Sequence, residues 1–124
     1  MLGTVNGAEC SQEARVITFE DFKKIEIRTG TILSAALNPK AKKPAYVLEV
    51  DFGPLGKKKS SAQITTNYTT EQLIGKQIVA VTNFPKKNIA GVESEVLILG
   101  AIGDLKGVIL LEPTHPVENG ASIG

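Results

Sequence analysis

Over most of the chain the apolar positions alternate with polar ones at period two, and the alternation breaks wherever Pro, Gly and Lys cluster. From Ile25 to Leu33, β-branched residues recur at every second position, which predicts a first strand, with Gly30 marking a bulge or tight bend. Ala45 to Phe52 puts Tyr46, Leu48, Val50 and Phe52 on one face and Glu49 and Asp51 on the other, the pattern of a half-buried second strand. Gly53 to Gly56 turns the chain into Lys57 to Ile64, a polar third strand paired to the second. Gln77 to Thr82 supplies the fourth, and Glu95 to Ile102 with Val108 to Glu112, separated by Gly103 to Gly107, form a final hairpin.

Helix signals occur twice. Thr18-Phe19-Glu20-Asp21 fits a capping box with acids in the positive first turn, and Thr69 to Gln72 before Leu73-Ile74-Gly75 reads as a second short helix closed by glycine. A short helix between the third and fourth strands is the insertion of an OB barrel. The expected fold is therefore all-β: a five-stranded OB-fold Greek-key barrel with short helices at the N-terminus and between strands 3 and 4. Residues 1–16 lack periodicity and read as a flexible arm, leaving 17–124 as one domain with a C-terminal dimerisation segment. The last strands are nearly continuous apolar runs, which calls for burial on both faces. A second copy of the chain meets that need, through Val96, Ile98, Leu99, Ile102, Val108 and Leu110; the competing cover is the tail from Pro113 to Gly124 folded back on them.

Composition narrows the class. Of 124 residues 42% are hydrophobic and 22% charged, enough for a packed core, but aromatics are only 5% and the core must be aliphatic. Cys10 is the single cysteine, which excludes an intrachain disulfide or a Cys-rich metal site and suits a reducing compartment. With no signal-like or membrane-length apolar segment, no membrane insertion is expected and the predicted location is cytoplasmic. The net charge of +1 hides an asymmetry, since the segment from Lys40 to Lys87 has nine lysines against three acids and carries +6. Its lysines cluster at 40/42/43, 57/58/59 and 86/87, in Pro-bounded loops or at a strand start, and they suit polyanions or acidic peptides.

Catalytic signatures are missing. There is no phosphate-cradling glycine loop, no GxSxG and no HExxH, and His115 is the one histidine, so no enzyme, cofactor or metal site is expected. Glu49 and Asp51 lie on one strand face and read as solvent-side residues rather than an acid–base pair. The polar third strand and its surroundings offer Ser60, Ser61, Gln63, Thr65 and Asn67 for hydrogen bonds, and Tyr46, Tyr68 and Phe84 as candidate stacking residues.

Eight segments then fall in register with one family. Phe19-Glu20-Asp21-Phe22, Ile27 to Ile32, Lys43-Pro44-Ala45-Tyr46, Asp51-Phe52-Gly53, Ser60 to Ile64, Leu73 to Gln77, Asn83-Phe84-Pro85 and Ser94 to Leu97 resemble the CsaA-like export chaperones of the tRNA-binding-domain family. The resemblance runs from about Ile17 to Asn119. It implies a homodimer without catalytic residues that binds unfolded preprotein polypeptides and works beside the export machinery. The related modules of methionyl- and phenylalanyl-tRNA synthetases make a structure-selective tRNA-binding protein the alternative. The family's binding surface maps onto Lys40, Lys42, Lys43, Lys86 and Lys87 with Ser60, Ser61, Gln63, Asn83 and Ser94, to which the basic strand start adds Lys57. Synthetase-linked modules place Gly-Met after the serine; Glu95-Val96 here favours the chaperone branch.

Overall fold

The computed structural model describes residues 15–103 and 107–124. The expected arm up to residue 14, Cys10, and the turn residues 104–106 lie outside them.

Helix α1 (Phe19–Lys23) begins as its sequence dictates: the Thr18 hydroxyl accepts from the Asp21 N–H while the Asp21 carboxylate accepts from the Thr18 N–H. The chain then enters β1 (Ile27–Leu37), followed by β2 (Tyr46–Asp51), β3 (Lys57–Ala62), α2 (Thr70–Leu73) and β4 (Gln77–Val81). Helix α2 carries a second capping box between Thr69 and Gln72, and the Thr70 hydroxyl donates to Glu71 at 2.8 Å, which holds the Glu71 carboxyl below the usual carboxylate range. Beyond β4 come β5 (Lys87–Ile89), β6 (Val92–Ser94), β7 (Leu97–Ile98), β8 (Gly100–Gly103) and β9 (Gly107–Leu110).

Five of these form one antiparallel sheet in the order β3-β2-β1-β4-β7. The long β1 serves two neighbours, pairing its first half with β4 and its second half with β2. The change of partner coincides with a bulge between Ile32 and Ser34. Gly30 does not supply that bulge. Its role is close approach, because a Cβ there would sit 2.7 Å from Val50 Cγ1 and 2.8 Å from the Phe52 ring.

The sheet closes on itself where β3 meets the segment between β6 and β7. The Glu95 N–H donates to the Lys59 carbonyl at 2.8 Å, the Lys59 N–H donates to the Glu95 carboxylate at 3.0 Å, and the Ser60 hydroxyl donates to the Val96 carbonyl at 3.1 Å. That closure makes an OB-fold barrel. Its interior holds Ile32, Leu48, Val50, Phe52, Leu73 and Ile78, all fully buried, with Leu73 of α2 packed among them. The alternation of β2 appears as expected, with Tyr46, Leu48 and Val50 inside and Glu49 and Asp51 outward.

Three stretches differ from their sequence pattern. Asn83 to Gly91, expected as an open loop, contains β5 and the turn that leads into β6, Ala90-Gly91, with both φ positive at 50° and 84°. The run from Glu95 to Ile102 is broken at Leu99, whose N–H donates to the Val79 carbonyl, so that β7 stays with the barrel and β8 leaves to pair with β9. The C-terminal tail lies along the free edge of β1 instead of over the β8–β9 hairpin. Gly120 N–H donates to the Thr29 carbonyl at 2.8 Å, Thr29 N–H to the Ala121 carbonyl at 3.0 Å, and Ile123 N–H to the Ile27 carbonyl at 3.0 Å.

Two substitutions check this packing. Gly30→Ala forces a methyl into the Val50–Phe52 contact and should lower unfolding free energy by about 1–3 kcal/mol in urea titration. Ser60→Ala leaves the buried Val96 carbonyl with only the longer bond from the Ser94 hydroxyl, at 3.4 Å, and should cost about 1 kcal/mol with an unchanged circular dichroism spectrum.

Candidate functional site

In an OB barrel the connections after the first and fourth strands flank the sheet surface that meets ligands. Here the first is 38–45 and the second is 82–96, which contains the β5–β6 hairpin. The two touch. Asn38, buried at the start of its loop, donates from Nδ2 to the Ala90 carbonyl at 3.2 Å, and the Lys40 side chain lies across the hairpin turn, its Nζ 3.6 Å from where a Gly91 Cβ would stand. Lys40, Lys42 and Lys43 are exposed on one side of this junction, and Lys86 and Lys87 are exposed on the other. Lys86 shares its charge with Glu93 and Glu95 at 3.9 and 3.7 Å, which leaves Lys87 the less neutralised of the pair.

Lys57 is not part of this group. The register places it opposite Asp51, at the end of β3 remote from the 38–45 loop, five positions or about 17 Å along the strand. Lys59 faces Glu49 in the same register. Both lysines therefore sit across the register from acids.

Three polar residues with the look of ligand contacts have structural work instead. Ser60 is buried and its hydroxyl is engaged by Val96, while Ser94, also buried, accepts from the Ser61 N–H at 3.2 Å through its hydroxyl oxygen. Both serve barrel closure. Asn83 brackets the α1–β1 junction, donating to the Lys24 carbonyl at 2.7 Å and accepting from the Glu26 N–H at 3.0 Å. Ser61 and Gln63 do line open space, with Ser61 half-buried and Gln63 exposed.

Of the candidate stacking residues, Tyr46 and Tyr68 are tied into the frame. The Tyr46 hydroxyl donates to the Tyr68 carbonyl at 2.8 Å, and the Tyr68 hydroxyl accepts from the Leu110 N–H at 2.9 Å. Phe84 stays free, 54% exposed. With Ile89 and Leu97 it lines a cleft of about 490 Å³ that also takes in the buried Val96, the half-buried Glu95 and the exposed Lys86 and Lys87. Leu97 also borders a second cleft of about 310 Å³ running past Ser61 and Gln63 to Ile102 and Val108. The spacing does not mark Ile89 or Leu97 as ligand-facing, because Ile89 lies on a hairpin whose turn begins at Ala90 and Leu97 on a β7 of only two residues.

The apolar face proposed for a second copy divides in two. Val96 and Leu110 are buried in the barrel's own core and Ile98 and Val108 pack against it, whereas Ile102 is 86% exposed. Leu99 is half-buried at the break between β7 and β8. The surface left bare on the hairpin is Ile102 with Ile109 and Leu111.

No group of three or more His, Cys, Asp or Glu side chains comes together among the described residues, and none of their helices is long and apolar enough to cross a membrane. His115 is exposed in the tail.

Comparison with known proteins agrees with this architecture. Residues 27–122 match the tRNA binding domain family. Among structures, chaperone CsaA from Bacillus anthracis str. Ames superposes with TM-score 0.84 at 50% identity, over 88% of this chain and 99% of that one. The CsaA chaperone protein from Picrophilus torridus gives TM-score 0.82 at 51% identity, over 88% and 100%. The methionine–tRNA ligase of Methanococcoides burtonii is 38% identical over 108 residues, 87% of this chain but 16% of the ligase, so the chain spans only a small part of the curated relatives it matches. A binding-domain match over most of the chain, an OB barrel with a loop-rimmed cleft, and half-identical full-length structural relatives together make the chain a CsaA-like member of the tRNA-binding-domain family.

Proposed function

We propose that the protein is a non-catalytic, CsaA-like chaperone that holds apolar segments of unfolded or export-destined polypeptides in the Phe84–Ile89–Leu97 cleft. One observation carries the reading: Phe84, Ile89 and Leu97 are 54%, 36% and 49% exposed, and they converge on a single concavity. A soluble domain keeps such apolar surface contiguous where something binds it. The lysines at the rim, together with the Lys40–Lys43 loop, favour segments with acidic flanks. The likeness to CsaA chaperones supports the same reading, with work in the cytoplasm ahead of the export machinery.

A second reading rests on the lysine rim. The contact of Lys40 with the hairpin turn gives the two loops one continuous basic edge beside the sheet, which is where OB barrels take nucleic acid, and the family match favours tRNA. The polypeptide cleft and the basic edge are then adjoining surfaces with separable contributions.

The protein is further proposed to work as a two-fold dimer through the bare face of the β8–β9 hairpin. The tail, which was the competing cover for this face, is engaged on β1.

Binding of fluorescent apolar and acidic-flanked peptides, and of tRNA, measured at several salt concentrations, separates the readings. Phe84→Ala should weaken peptide binding about tenfold and leave tRNA affinity unchanged; intact peptide binding in this variant refutes the cleft. Replacing Lys42, Lys43, Lys86 and Lys87 with Ala should flatten the logarithmic salt slope for tRNA by about 3 units, at roughly 0.7 to 0.9 per phosphate contact. An unchanged slope removes the loops from the tRNA site. In sedimentation at micromolar concentration the wild type should run as a dimer and Ile102→Asp as a folded monomer, and a monomeric wild type refutes the hairpin interface.

A further inference from the structure

We infer that Asn119–Gly120 is a site of spontaneous deamidation, that docking of the C-terminal tail protects it, and that its isoaspartyl product cannot redock. The reaction needs only the chain and water. The Gly120 backbone nitrogen gives up its proton and attacks the Asn119 side-chain carbonyl carbon; a C–N bond forms, and the Cγ–Nδ2 bond breaks as the Nδ2 group takes up a proton through water and leaves as ammonia. Water then opens the resulting cyclic imide at either carbonyl, giving aspartate or isoaspartate. Glycine in the following position leaves the attacking nitrogen unhindered, which makes Asn-Gly the sequence most open to this chemistry.

In the folded protein both reacting groups are held. The Gly120 N–H donates to the Thr29 carbonyl at 2.8 Å. The Asn119 Oδ1 accepts from the Thr31 hydroxyl at 2.7 Å and from Gln77 Nε2 at 3.4 Å. The neighbouring tail is pinned as well: Gln77 Nε2 donates to the Val117 carbonyl at 2.6 Å, and the Thr29 hydroxyl donates to the Glu118 carbonyl at 2.8 Å while accepting from the Ala121 N–H at 3.1 Å. Cyclisation therefore waits for the tail to lift from β1, and its rate reports that opening.

The two products differ in whether the tail can return. Aspartate keeps the oxygen that accepts from Thr31 and Gln77, so it fits the same place. Isoaspartate lengthens the main chain by one carbon where the 119–120 backbone is packed against 52–54: a Cβ on Gly53 would lie 2.5 Å from the Asn119 carbonyl oxygen, and one on Gly120 2.5 Å from the Phe52 carbonyl oxygen. Formation of isoaspartate thus unstraps the tail for good.

The test is incubation of the full chain at mildly alkaline pH, folded and in urea, with peptide mapping that separates the Asn119–Gly120 peptide from the one containing Asn6–Gly7. Folded protein should deamidate at Asn119 more than about tenfold slower than unfolded chain, given the several hydrogen bonds that must break first. Gln77→Ala, and Thr29→Val if it folds, should accelerate the reaction in the folded state. In hydrogen exchange Asn119→Asp should keep the 117–123 amides protected, while the purified isoaspartyl form should not. Equal rates in folded and unfolded chains, no acceleration in Gln77→Ala, or a protected isoaspartyl tail overturns the inference.

Discussion

A five-stranded sheet that curls into a barrel leaves two edges to be joined, and here the join is made mostly by side chains. β3 and the 94–96 segment share a main-chain bond between Glu95 and Lys59, but Ser60, Ser94 and the Glu95 carboxylate complete the seam. Side-chain hydroxyls tolerate a strand that is bending away, which a regular ladder does not, and the bend is what frees the β5–β6 hairpin on one side and β8 on the other. The cleft of Phe84, Ile89 and Leu97 exists because the seam diverts the chain at this point. The same seam fixes Val96 into the core directly beneath the cleft, so the binding surface and the barrel share one support.

Charge is distributed in keeping with that geometry. Lys57 and Lys59 lie across the β2–β3 register from acids, Lys86 pairs with Glu93 and Glu95, and the lysines of the 38–45 loop are exposed beside the hairpin turn. Exposed ion pairs of this kind add little stability, so the lysines of the rim are free to serve binding without a structural cost.

Much of this was legible in the residues. Both capping boxes, the in–out alternation of β2, the closing glycine of α2 and the position of the basic loops follow from local rules that the fold does not override. What was hidden depended on partners distant in sequence. A serine in a polar strand reads as outward until the strand across the seam is known, which is why Ser60 and Ser94 looked like ligand contacts. The β5–β6 hairpin turns on Ala90, a residue that seldom takes positive φ, and follows Pro85, so its pattern resembled an open loop. The tail from Val117 to Ile123 has no alternation at all. Its order comes from Thr29, Thr31 and Gln77 on β1 and β4, about 40 to 90 positions earlier. The two faces of the last hairpin were legible as apolar but not as unequal.

The return of the tail to β1 has a topological consequence. Ser122 bridges Arg28, and Ile123 lies with Phe19, Phe22 and Ile25 around one small cavity, so the first helix and the last residues of the chain occupy the same patch of surface. In an engineered chain begun at α1, a linker of a few residues can join residue 124 to that start, and new ends opened between 103 and 107 leave the five-stranded sheet uncut. The barrel is in this sense a ring whose gap happens to fall beside β1, amenable to circular permutation.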